Sequence, residues 1–171
     1  MKIRTLAAVA VMGLALASCG NNRDKEIKAI EDGERQLSAL DINTQDGELT
    51  AMVKLYRDFA AHFPDDSLAP VYLMRAADLS ITLQDYDQAQ SLLGQVASQY
   101  PGYEDMGGCH FLRGYAFEMA GLYDSARAAY TYFVENYPEH SLAGDTRQSI
   151  PYIGMSPEEM LEAVLAAAVR Q

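Results

Sequence analysis

Positive charge is scarce in this chain. Lysine and arginine number 13 against 24 aspartates and glutamates, for a formal net charge of −11 over 171 residues. Nonspecific binding of DNA or RNA needs a basic surface and is excluded. Docking on anionic lipid through a basic patch is excluded for the same reason. Long apolar runs are also lacking. The run Leu6 to Ala17 has 12 residues, too short to cross a bilayer core of roughly 30 Å as a helix. Alternating β-branched runs are missing, so strands are not expected. There is no Gly-rich phosphate loop, no His-Glu-x-x-His and no Ser/His/Asp set. The acidic pairs Asp65-Asp66 and Glu158-Glu159 fall where helices begin, and carboxylates are favoured there by the helix dipole. Asp85-Tyr86-Asp87, in a turn between helices, reads the same way. No catalytic residue and no metal ligand is identified, and the expectation is a protein that is not an enzyme.

What is present begins with residues 1–18. Lys2 and Arg4 precede the apolar run, which ends in Leu16-Ala17-Ser18-Cys19. The pattern suits a secretory signal and resembles the lipobox of bacterial lipoproteins. That resemblance implies cleavage between Ser18 and Cys19 and a diacylglyceryl group, with a further acyl chain such as palmitate, on Cys19. Two or three chains would hold the protein firmly at a membrane, since each buried CH₂ contributes about 0.8 kcal/mol. Position 20 is Gly rather than Asp, so the family's inner-membrane retention signal is absent. An outer-membrane address is expected, facing the periplasm or the cell surface. Residues 1–18 are thus read as signal peptide, 19–26 as lipidated cysteine and short polar tether, and 27–171 as the folded domain. No cofactor is expected beyond this lipid.

Without the signal, 153 residues remain, with 11 basic and 24 acidic side chains and a balance of −13. With Cys19 committed to lipid, Cys109 has no partner for an intrachain disulfide. It reads as a small buried helix residue. Beside it His110 has no neighbouring ligand type to complete a metal site, and His62 and His140 fall just outside helix ends.

An aromatic–proline pair returns every 37 residues: Phe63-Pro64, Tyr100-Pro101 and Tyr137-Pro138. Each closes a stretch shaped like a helical hairpin, because proline lacks the N–H that would continue the helix and clashes with the turn before it. Such a period marks a helical repeat. Behind Pro101 stand Leu73, Ala77, Tyr86, Ala89, Leu93 and Val96; behind Pro138 stand His110, Gly114, Tyr123, Ala126, Tyr130 and Phe133. The order bulky, small, aromatic, Ala, aromatic or apolar, Pro resembles the tetratricopeptide repeat (TPR), of about 34 residues. The resemblance implies an all-α, TPR-like solenoid of helical hairpins. Ala77, Gly114, Ala89 and Ala126 would let paired helices approach closely. Tyr86 and Tyr123, after the turns Gln84-Asp85 and Gly121-Leu122, would wedge them at a fixed angle.

Weaker units flank this pair. Ile27, Ile30, Leu37 and Leu40 supply an apolar stripe, Gly47 a turn, and Met52, Tyr56, Phe59 and Pro64 a second helix. After Pro138 a short helix near Leu142–Ser149 is broken at Pro151. Then Ser156 as N-cap, Pro157 and Glu159 open a last helix to Arg170 with a capping box. Its Met160, Leu161, Val164, Leu165 and Ala168 are expected to seal the end of the stack.

In TPR proteins the binding groove is lined by first-helix residues. Carried over, these are Val71, Met74, Asp78 and Ile81 in one repeat, and Phe111, Tyr115, Glu118 and Met119 in the next. Apolar anchors with two acids suit a peptide or helix that carries a basic residue. The steps Phe63-Pro64-Asp65-Asp66-Ser67-Leu68-Ala69 and Tyr137-Pro138-Glu139-His140-Ser141-Leu142-Ala143 resemble those of two envelope proteins, the TPR lipoprotein of the outer-membrane β-barrel assembly machine and the TPR coordinator of the Tol–Pal system. The partner expected is therefore a cell-envelope protein or peptide, with the membrane reached through the lipid and no nucleic acid. The rival is a glycan- or nutrient-binding accessory lipoprotein that uses Tyr72, Tyr103 and Tyr115 as stacking platforms. The sequence leaves the oligomeric state open.

Overall fold

The computed structural model describes residues 22–38 and 46–168, and every regular element among them is helical. Helix α1 covers 22–38, α2 Asp46–His62, α3 Leu68–Thr82 and α4 Tyr86–Gln99. Helix α5 covers Met106–Met119, α6 Tyr123–Asn136, α7 Ala143–Ser149 and α8 Pro157–Ala168, with a 3₁₀ turn at Ile150–Tyr152. The fold class is the expected one, all-α and TPR-like, in successive helical hairpins. Ser18, Cys19, Leu40 and Arg170 lie outside the described residues.

The 37-residue beat corresponds to one backbone device used three times. The N–H of the aromatic residue donates to the carbonyl four positions back: Phe63 to Phe59 (2.8 Å), Tyr100 to Val96 (2.9 Å) and Tyr137 to Phe133 (2.8 Å). Proline follows and cannot extend the ladder. Two residues later the chain turns back, and the N–H groups of Asp66, Tyr103 and His140 donate to the carbonyls of Phe63, Tyr100 and Tyr137. Tyr100 and Tyr137 hold nearly the same backbone angles, φ −126°, ψ 56° and φ −128°, ψ 54°.

The described residues of the domain expected over 27–171 divide into two compact units, with the boundary inside α3 between Ala76 and Ala77. In the first unit the core is formed by Ile30 of α1, by Met52, Val53, Tyr56, Phe59 and Ala60 of α2, and by Ala69, Tyr72, Leu73 and Ala76 of α3. Tyr72 stacks on Tyr56 at 5.4 Å and meets Phe59 edge-on at 4.8 Å. At the start of α1 the structure differs from the sequence reading. Residues 22–26, read as tether, are already helical, and Arg23 pairs with Asp66 while Glu26 meets His62 at 2.9 Å. Those contacts fasten to α2 and its connection what composition alone marks as loose. Gly47, expected in a turn, lies in the first turn of α2.

In the second unit α5 packs on both α4 and α6, and α6 packs on α7. Ala89 and Ala126 are fully buried, as close helix approach requires. Ala89 sits with Ile81 and Ala116, and Ala126 with Tyr130 and Ile153. Phe133, Val134 and Ala143 carry the core on to α7. Helix α8 opens with the expected reciprocal cap: the Glu159 N–H donates to Ser156 Oγ (3.2 Å), and the Ser156 N–H to Glu159 Oε2 (2.7 Å). It does not seal an end, however. Met160, Leu161, Val164 and Leu165 are all exposed, Leu161 by 61%. Local capping makes this helix, and no core covers its apolar stripe.

Candidate binding faces

The structure sorts the predicted residues by position around their helices. Gly114 and Ala77 are buried. A Cβ at Gly114 would stand 2.6 Å from Cδ1 of Tyr130, so only glycine fits beneath that ring. Tyr86 is half-buried against the cluster of Ile81, Ala89 and Ala116, the place expected of a wedge. Tyr123 is 43% exposed and lies over Gly154 instead. It follows an equivalent turn, but its ring packs on the chain after the 3₁₀ turn rather than between two helices. Pro101 and Pro138 are exposed just past the ends of α4 and α6.

Among the groove residues, Val71 and Met74 in the first unit are half-buried on α3. In the second unit Asp78 is exposed, whereas Ile81 is buried and belongs to the core. Phe111 is core packing too, with its ring against Tyr130 at 5.5 Å and Phe133 at 5.6 Å. Both residues turn inward because a helix advances about 100° per residue: Ile81 lies one turn from buried Ala77, and Phe111 one turn from buried Gly114. Glu118 has a structural partner that the sequence did not reveal, accepting the Tyr130 hydroxyl at 2.9 Å. Burial first, and then that bond to a carboxylate, push the Tyr130 phenol well above its ordinary pKa. Tyr115 and Met119 (47% exposed) remain open to solvent, one turn apart on α5. The surface left from the predicted groove is thus Asp78, Tyr115 and Met119.

Of the three tyrosines proposed as stacking platforms, Tyr72 is buried in the first unit's core, Tyr103 is half-buried and Tyr115 is exposed. A platform must offer a free face, so Tyr72 cannot serve.

The histidines and Cys109 have local roles. Cys109 is buried, and its thiol donates to the Leu93 carbonyl at 3.5 Å. Burial pushes its pKa up to about 11. His110 lies between the rings of Tyr132 (4.7 Å) and Tyr137 (5.5 Å), and burial, with the nearby Arg113 charge, lowers its pKa. His140 bridges Asp105, at 3.3 Å from Nε2, and the Leu142 N–H, which donates to Nδ1. Among the described residues no group of three or more His, Cys, Asp or Glu could hold a metal ion. None of the described helices is long and apolar enough to cross a membrane.

Hairpins ended by a repeated aromatic–proline turn define a class, the helical-repeat proteins, whose stacked units create extended binding surfaces. The family model of the tetratricopeptide repeat matches residues 72–103 and 109–140. Each stretch ends just past one of the aromatic–proline pairs, Tyr100-Pro101 and Tyr137-Pro138. Two tetratricopeptide repeats are therefore detected, a type that is typically a non-enzymatic scaffold for protein–protein interaction. No curated protein and no solved structure matches the chain.

Proposed function

We propose that the chain is a non-enzymatic adaptor, held at the outer membrane through lipid on Cys19, that binds a protein or peptide of the cell envelope. The exposed pair Tyr115 and Met119 on α5 carries the reading. An aromatic ring and a thioether in water, one turn apart on a repeat helix, are the kind of anchors that recognise a partner side chain. Exposed Asp78, in a chain of net charge −11, favours a partner bearing a basic residue. Lipid on Cys19 would raise the local concentration of both partners at one surface.

A photo-crosslinking residue at position 115 of the full chain, in the bacterial envelope, tests the binding face. A discrete protein adduct that Met119→Glu removes is expected. Retention of glycan without any protein adduct would overturn the adaptor in favour of the accessory lipoprotein. The anchor has a separate test: Cys19→Ala should release the protein from the membrane fraction, and persistence there rejects the lipid.

A further inference from the structure

On the side of α5 nearly opposite Tyr115 and Met119, the second unit has a surface cavity of about 470 Å³. His110, Arg113 and Phe117 of α5 line it at helical spacing, with Ser125, Ala129 and Tyr132 of α6 facing them. Its size is that of small-molecule sites, and its walls have their usual character, rings and methyl groups with a few converging polar atoms.

Arg113 decides what would fit. Arg23, Arg35, Arg75 and Arg127 each pair with a carboxylate. The Arg113 guanidinium has neither an ion pair nor a hydrogen bond among the described residues, and its Nε–H is buried without a partner. A buried donor left unpaired loses its hydration with nothing in return, and the loss is greater for a charged group. Acids outnumber bases 24 to 13 in this chain, so an arginine left over in a cavity stands out. The His110 nitrogens likewise have no hydrogen-bond partner among the described residues. The ring is held against Tyr132 and Tyr137, which leaves an N–H free to donate.

We propose that this cavity binds a monocarboxylate with a small apolar body, the carboxylate on the Arg113 guanidinium and the body between Phe117, Ala129 and Tyr132. The two terminal nitrogens of the guanidinium match a carboxylate in two parallel bonds, while Nε stays covered. Ser125 at the rim offers a third donor. A single negative charge is preferred because the acidic field of the whole chain repels multiply charged anions. The site does not depend on the adaptor reading, because it uses a different side of α5 and needs no lipid.

The test is a titration of the full chain with phenylacetate, followed by calorimetry and by the NMR signals of His110 and Ser125. Saturable binding is expected, with phenylacetamide at least tenfold weaker and with Arg113→Gln at least tenfold weaker for the acid. Ala128→Trp, which fills the cavity from an exposed lining position without touching Arg113, should abolish binding as well. Two further probes separate a free acid from a protein chain end, Gly-Gly-Phe and its C-terminal amide. If the peptide acid binds tenfold tighter than phenylacetate the carboxylate belongs to a chain terminus, and if not the ligand is a free small acid. No saturable binding, equal binding of acid and amide, or unchanged affinity in both variants would overturn the proposal.

Discussion

The two detected repeats meet the same geometric demands with different residues. In the first, the turn between helices places Gln84 at φ 60° and gives α4 an N-cap, with the Asp85 carboxylate accepting the Gln88 N–H at 3.1 Å. In the second, Gly121 takes the left-handed position at φ 73°, while Leu122 offers α6 no side-chain cap. Each turn fills one position with a well-suited residue and the other with a poor one. The helix contact shows a similar exchange. Ala77 and Leu93 are buried in the first repeat, and the equivalent positions hold Gly114 and Tyr130, with the small residue cut back to make room for a ring. The two repeats thus match as sums across paired positions, while single residues trade within them.

Exchanging those paired residues should have the largest effect. Gly114→Ala should destabilise by about 1–3 kcal/mol, because its Cβ would meet the buried Tyr130 ring. Adding Tyr130→Leu, which copies the first repeat's pairing, should restore at least half of that loss in denaturant unfolding. Additive single effects would mean that the two positions are not coupled.

The turns give the next largest effect. Asp85→Ala should cost about 1 kcal/mol and Leu122→Asp should gain about 0.5–1 kcal/mol. Gly121→Ala should cost about 1 kcal/mol or more, while Gln84→Gly should be neutral or stabilising, because the left-handed backbone is penalised for a residue with a Cβ. Thermal unfolding of the four variants reads the signs. Equal responses from Gln84→Gly and Gly121→Ala would show that the turns do not trade as described.

The smallest effect is set by pH. The second repeat has His110 where the first has Leu73. Its folded pKa is lowered by burial and by Arg113. Its stabilising contribution is therefore complete above its ordinary value near 6.5 and falls as acid drives protonation of a buried ring. His110→Leu should flatten the loss of stability between pH 7.5 and 5. Parallel curves for the two proteins would remove His110 from the acid response.

Much of this was legible in the sequence. Ala77, Ala89, Gly114 and Ala126 could be read as close-contact positions because smallness at a repeat interval has one main use, and the prolines marked helix ends by what they cannot do. Direction around a helix was harder. Ile81 and Phe111 lie one residue-step from the solvent face, and only packing shows that they turn inward. The Glu118–Tyr130 bond joins residues 12 apart on two helices, a contact that no local pattern encodes. Asn22 to Glu26 look like tether because the partners of Arg23 and Glu26, Asp66 and His62, lie some forty residues away. The Arg113 cavity was missed altogether, since an unpaired arginine is visible only once every carboxylate near it has been placed.

Helix α8 has a consequence for how the molecule melts. Twelve residues held by a capping box, with the apolar stripe in water, are marginal as an isolated helix. Heat should therefore unwind α8 gradually, well below the cooperative loss of the hairpins, and tilt the helical baseline that precedes the main transition. A two-state fit that takes this slope for ordinary temperature drift would misstate the enthalpy of everything upstream of it.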